Sequence, residues 1–168
     1  TFALPFTTPQ FLAKVNHLSP GYIGLVMSPA ALTAALMSRK GGHLADKRGN
    51  RLLVYIAASL IFTCYFLLSS FLGVSPIFIT FILIFGNVGQ TFMSVAMSNT
   101  ISRTLERSQV GIGMGLLSML NFISGATATS LIGKILDYGN VEFHFNPLSA
   151  NSAAFIYSNI FFVFAFLI

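Results

Sequence analysis

The sequence carries very little charge for its length. Of its 168 residues 8% are charged, whereas 55% are hydrophobic, and the mean hydropathy is +0.81. Soluble domains average about 25% charged residues, because a water-exposed surface has to be covered with polar groups. The composition therefore excludes an ordinary soluble domain and favours a chain that lies in a lipid bilayer.

The charge that is present is mostly positive, with a formal net charge of +5. The basic residues stand at the ends of apolar runs and form no basic face or stripe, so the pattern is not that of a nucleic-acid-binding protein. We therefore expect no nucleic-acid partner. The lipid bilayer, with its anionic surface, is the partner that this distribution favours.

The sequence also lacks the residue patterns of common enzymes. It contains no G-x-S-x-G, H-E-x-x-H or Walker motif, so we predict neither an enzyme nor a cofactor, and the missing Walker motif argues against an ATP-driven pump. The single cysteine, Cys64, excludes an internal disulfide and is predicted to be a small buried side chain. The histidines are separated along the sequence and fall in predicted loops, so we expect surface residues and no metal site: His17, His43 and His144.

Long apolar runs fill most of the chain. Because a helix needs about 20 apolar residues to cross the hydrocarbon layer, we predict five transmembrane helices, at 21–38, 52–72, 76–102, 110–136 and 153–168. Residues 7–20 contain two prolines and are predicted to form an external loop, with room for one short interfacial turn. Residues 1–6 are predicted to end a truncated helix, and we expect the chain to be a piece of a larger membrane protein.

Two short basic segments set the predicted orientation. The segment 39–51 holds five of the nine Lys and Arg residues, and basic loops between apolar spans favour the cytoplasmic side. Alternation of the spans then brings 103–109 to the same side, and together the two predicted cytoplasmic loops hold seven of the nine basic residues. The multi-pass topology and a location in the cell membrane follow from this pattern.

Residues 42–51 read G-H-L-A-D-K-R-G-N-R, which resembles the G-x-L-a-D-[RK]-x-G-[RK]-[RK] signature of the major facilitator superfamily. The matching positions that we take as the gating motif are Gly42, Asp46, Lys47, Gly49 and Arg51. Asn50 departs from the signature, which has a basic residue there. The glycines permit a tight turn, and an acid among cations can hold such a loop in one shape. The resemblance implies that Asp46 latches the cytoplasmic ends of two six-helix halves; the alternative is a solvated loop without a switching role.

A second stretch narrows the resemblance. Residues 111–126 read G-I-G-M-G-L-L-S-M-L-N-F-I-S-G-A and look like the penultimate helix of the 14-helix drug:proton antiporters, which include exporters of tetracycline and of quaternary ammonium compounds. The resemblance implies an all-α membrane fold, the C-terminal half of a facilitator bundle with about five complete helices and a truncated one. It also implies proton-coupled efflux of lipophilic, often cationic drugs, antibiotic resistance and a bacterial source. Two alternatives stay open: a facilitator for a sugar or other metabolite, and a membrane scaffold subunit that does not transport. On this hypothesis the missing N-terminal half is a partner, and the fragment should not transport alone.

Polar groups within the predicted spans supply the candidate substrate site. Asn87, Gln90 and Asn121 lie inside apolar helices, where amides need partners or a water-filled cavity. They either line a substrate cavity or form interhelical hydrogen bonds. No Asp, Glu, Lys or Arg lies deep in a predicted span, although the resemblance suggests a Glu about where Gly125 stands. The acid that couples transport to protons is therefore expected in the missing part, unless the coupling differs.

Small residues recur in the fourth predicted span. They include the G-x-x-x-G pair that begins at Gly111, and such residues let two helix backbones approach closely. We predict that they pack this helix against the bundle; the alternative, which is compatible, is a surface on which the two halves slide. The glycines concerned are Gly111, Gly115, Gly125 and Gly133.

Overall fold

The computed structural model describes residues 3–71, 75–137 and 155–167, and within these ranges the chain is built from helices with no strand. The predicted all-α fold is thus confirmed. The six helices are α1 (Ala3–Lys14), α2 (Pro20–Arg48), α3 (Asn50–Ser70), α4 (Pro76–Thr104), α5 (Val110–Asp137) and α6 (Phe155–Phe166). By length and apolar composition, α2 to α5 can each cross a membrane, and α6 is a shorter apolar helix. Residues 153, 154 and 168 of the last predicted span, and His144, lie outside the described residues.

The predicted loop at 39–51 is mostly helical, which corrects the prediction. Helix α2 continues to Arg48, and Gly49 alone separates it from α3. Gly49 has φ 87° and ψ 156°, a conformation that is essentially restricted to glycine, so the chain turns there within one residue. The helix persists because its last turns pack against α3 and α4: Ala45 is fully buried beside Leu53 and Phe92.

The predicted external loop at 7–20 is also partly wrong, because α1 runs through Pro9 to Lys14. Phe11 and Leu12 are fully buried in the main core, and their burial holds the helix together despite the backbone donor that the proline lacks. The chain turns only after Lys14, at His17, which has a positive φ of 53° and an exposed side chain.

The core lies where α4 packs against α2 and α3. Cys64 on α3 is buried and free, as the sequence predicted, and it faces Gly86 of α4. A Cβ atom built on Gly86 would lie 2.5 Å from the Cys64 Sγ atom, so this glycine lets the two helices approach closely. Helix α6 joins the same core, and its buried Ser158 exchanges hydrogen bonds of 2.8 and 2.9 Å with Ser69 of α3.

Candidate functional site

An ion pair joins the C-terminal ends of α2 and α4. The guanidinium of Arg103 donates to the Asp46 carboxylate over 2.8 Å, across a sequence separation of 57 residues. Both side chains are largely open to solvent, with exposed fractions of 65% for Asp46 and 52% for Arg103. Sequence reasoning singled out Asp46 as an acid that could accept from a cation, but it did not identify Arg103 as the donor.

The residue that departs from the motif makes a second connection at the same end of the bundle. Asn50, the first residue of α3, donates from Nδ2 to the Ala96 carbonyl of α4 over 2.6 Å and also to the Thr100 hydroxyl. The Thr100 hydroxyl in turn donates to the Ala96 carbonyl over 2.8 Å. A neutral amide therefore ties α3 to α4 at the position where the signature has a charge. The substitution of Asn for a basic residue was the one sequence signal of this contact.

We expect the Asn50→Ala variant to lose about 0.5–1.5 kcal/mol of unfolding free energy, because interhelical hydrogen bonds in membrane proteins contribute on this scale. The measurement is denaturation of the purified full-length protein in detergent. Ser59→Ala is the matched control, since among the described residues the Ser59 hydroxyl donates to the Tyr55 carbonyl of its own helix and joins no second helix. An equal loss in both variants would show that the Asn50 contact has no particular role in joining the helices.

The remaining motif residues surround Asp46 on α2. A groove of about 680 Å³ runs past Asp46, and a second groove of about 390 Å³ lies between Asp46 and α4. Gly42 lines both grooves, and the exposed Lys47 lines the larger one. Gly49 forms the break between the helices, and Arg51 is exposed in the first turn of α3. The structure thus gathers the motif at one end of the bundle.

Two of the three predicted cavity residues share a pocket. Gln90 of α4 and Asn121 of α5 line a cavity of about 430 Å³ that also includes Tyr65 and Gly125. The Gln90 Nε2 atom is buried and has no hydrogen-bond partner among the described residues. Asn87 differs, because its Nδ2 donates to the Leu83 carbonyl of its own helix over 3.0 Å.

The four glycines predicted to pack α5 against the bundle differ in their surroundings. Gly125 is buried and lines the cavity. At each of the other three glycines, an added Cβ atom would have no described atom within 4 Å. These glycines are Gly111, Gly115 and Gly133. Close contacts within the described bundle occur instead at glycines that the sequence analysis did not select, which are Gly41, Gly86, Gly89 and Gly113.

The chain is similar to a known protein family along most of its length. The family model described as "Major Facilitator Superfamily" matches residues 1–129, which is more than half of the chain. The chain belongs to the major facilitator superfamily. Four of its described helices are long and apolar enough to cross a membrane. Together with the family, this shows that the chain is a multi-pass integral protein of the cell membrane.

Curated relatives of this facilitator chain include two proteins named "Multidrug resistance protein B homolog", from Mycobacterium tuberculosis strains CDC 1551 / Oshkosh and ATCC 25618 / H37Rv. Each is 28% identical over 134 residues, which is 77% of this chain and 25% of the relative. The facilitator chain therefore spans about a quarter of the length of these relatives. No solved structure matches it significantly.

Proposed function

We propose that this facilitator chain is the C-terminal half of a transporter that exports lipophilic, often cationic drugs in exchange for protons. The observation that carries the proposal is the Asp46–Arg103 pair, in which Asp46 belongs to the motif typical of facilitators and Arg103 ties it to the C-terminal end of α4. The names of the mycobacterial relatives support multidrug efflux as the kind of transport.

The proposed mechanism is alternating access between two halves of the full transporter, a mechanism of secondary transporters built from repeated units. Asp46 of α2 is paired with Arg103 of α4, and its carboxylate lies at the proposed cytoplasmic end of the bundle. When the halves close there, this carboxylate accepts from a donor on the other half, and opening toward the cytoplasm breaks that contact. Gly42 and Gly49 keep the backbone compact enough for the approach, while Lys47 and Arg51 surround the acid with positive charge.

The substrate cavity in this half is proposed to involve Gln90 and Asn121, which line one pocket. We propose that Asn87, which lies about one turn before Gln90 on α4, also contributes to this cavity. Its amide already donates to a carbonyl of its own helix. Proton coupling requires a titratable group, and the stretch from 52 to 102 carries none of Asp, Glu, Lys or Arg. We propose that the proton-binding acid lies in the other half of the transporter.

The proposal is tested with the full-length transporter in proteoliposomes that carry an imposed pH gradient. We expect ethidium and at least one structurally unrelated lipophilic cation to move against their own gradients, and this movement to stop when a protonophore is added. Flux of a single sugar or metabolite without any drug flux would favour a nutrient facilitator. Absence of all proton-driven flux would favour a scaffold subunit.

A further inference from the structure

Two cavities lie beside α4 and α5, which both contribute to their lining. The first, of about 430 Å³, contains Gln90, and the second, of about 250 Å³, lies between the two helices. Met93 and Asn121 line both cavities, so the two are neighbours that share part of their lining, and together they are called the two-cavity site below. A cleft of about 300–1,000 Å³ is the usual size for a small-molecule site.

The lining of this two-cavity site is polar in places but carries no charge. Among the described residues, neither cavity is lined by Asp, Glu, Lys, Arg or His. A charged group that enters an apolar site without a counter-charge loses its hydration at a large free-energy cost, whereas an uncharged polar group needs only a hydrogen-bond partner. The described lining therefore offers no counter-charge to a cation and is suited to neutral polar groups.

Two amides are available as those partners. Among the described residues the Gln90 Nε2 atom is buried without a hydrogen bond, and Asn121 of α5 lines both cavities. Each amide can donate and accept, so together they suit a carbonyl, hydroxyl or amide on a ligand. An unsatisfied buried donor costs free energy, and a ligand that completes the hydrogen bond recovers it.

The rest of the lining suits flat aromatic groups. Tyr65 and Phe164 form an aromatic wall of the larger cavity, with ring centroids 5.8 Å apart. Three methionines line the smaller cavity, where flexible thioethers adapt to ligand shape and make favourable contacts with aromatic rings. They are Met93, Met97 and Met114.

We infer that this two-cavity site binds an uncharged aromatic portion of the transported molecule, through hydrogen bonds to Gln90 and Asn121 and contacts with Met93. The inference rests on the proposed function and adds a substrate preference to it. A cationic drug without hydrogen-bonding groups gains nothing from these amides, and its charge is balanced elsewhere in the transporter.

The test measures binding of two tritiated probes to the purified full-length transporter by equilibrium dialysis. Chloramphenicol is neutral, aromatic and rich in hydrogen-bonding groups, whereas tetraphenylphosphonium is aromatic and cationic without any. We expect Gln90→Met and Asn121→Leu each to weaken chloramphenicol binding about five- to tenfold, the scale of one lost hydrogen bond. Binding of tetraphenylphosphonium should stay within about twofold, because it uses neither amide.

Thr91→Val is the matched control. Thr91 neighbours Gln90 on α4, but its hydroxyl donates to the Asn87 carbonyl of its own helix over 2.9 Å. We expect it to change neither affinity. Because the two test residues stand on different helices, a folding defect in one variant, detected by thermal unfolding, leaves the other as the test.

Unchanged chloramphenicol binding in the folded variants, or an equal loss for both probes, would overturn the inference. Binding of tetraphenylphosphonium alone by the unaltered transporter would also overturn it, while leaving drug efflux intact. Failure to bind either probe, together with no proton-driven flux, would remove the proposed function as well.

Discussion

We expect the Asp46→Asn variant of the full-length transporter to lose at least about tenfold in drug flux while it is still produced and inserted. Asn has nearly the shape of Asp but cannot offer a full negative charge to Arg103 or to a donor on the other half. Loss of this charge-assisted contact removes the proposed latch at the cytoplasmic end. Flux in proteoliposomes, normalised to the amount of inserted protein, is the measurement.

The exposure of the pair separates this effect from simple destabilisation. Exposed ion pairs contribute about 0.2–1 kcal/mol, and Asp46 and Arg103 are both more than half exposed. The unfolding free energy should therefore change by less than about 1 kcal/mol. A tenfold change in flux corresponds to about 1.4 kcal/mol, which exceeds what this exposed pair alone supplies.

Two further variants make the test specific to the pair. Arg103→Gln removes the cationic partner of the same ion pair and should also reduce drug flux. Lys47→Gln removes a neighbouring exposed cation that lines the groove but forms no ion pair with Asp46 among the described residues. A smaller effect is expected. Wild-type flux in Asp46→Asn would contradict the latch, and an equal loss in Lys47→Gln would attribute the effect to general surface charge.

Gly89→Ala is expected to cost about 1–3 kcal/mol of unfolding free energy, the usual range for overpacking in a close-packed core. A Cβ atom on Gly89 would lie 2.8 Å from Ile61 Cγ1, 3.0 Å from Leu60 Cβ and 3.1 Å from the Ala57 carbonyl oxygen. The last two atoms belong to or adjoin the α3 backbone, so side-chain rotation cannot relieve the contact and the helices must separate. Thermal and denaturant unfolding in detergent measure the cost.

Gly115→Ala is the control with the opposite expected sign. A Cβ atom there would have no described atom within 4 Å, and replacing Gly with Ala inside a helix stabilises by about 0.5–1 kcal/mol. Equal stability of the Gly89→Ala variant and the unaltered protein would contradict close packing of α3 on α4. Destabilisation by Gly115→Ala in the full-length transporter would instead support the predicted packing stripe on α5, with its contact outside the described bundle.

The glycines illustrate where sequence reasoning failed. Spacing alone selected Gly111 and Gly115, because small residues four apart often mark a helix contact. Spacing does not reveal which face of a helix meets a neighbour, so the glycines that contact α3, Gly86 and Gly89, were missed. In the same way, Asn87 and Gln90 share a helix face by spacing, yet only Gln90 lines the cavity.

The segment around Asp46 illustrates a second limit. Adjacent glycines and a cluster of charge predicted a loop at 39–51, but α2 remains helical to Arg48. Local preference was overridden by burial, since Gly41 and Ala45 lie against Phe92 of α4. The sequence predicted correctly that the motif would connect two apolar helices and that Asp46 could accept from a cation.

The order of residues alone determined the membrane class, the helical fold and the facilitator motif, because hydropathy and short signatures are properties of neighbouring residues. Only the tertiary structure decided that Arg103 pairs with Asp46, that Asn50 ties α3 to α4, and that Gln90 and Asn121 line one cavity. These contacts join residues that are far apart in the chain, and their formation depends on how the helices rotate and pack.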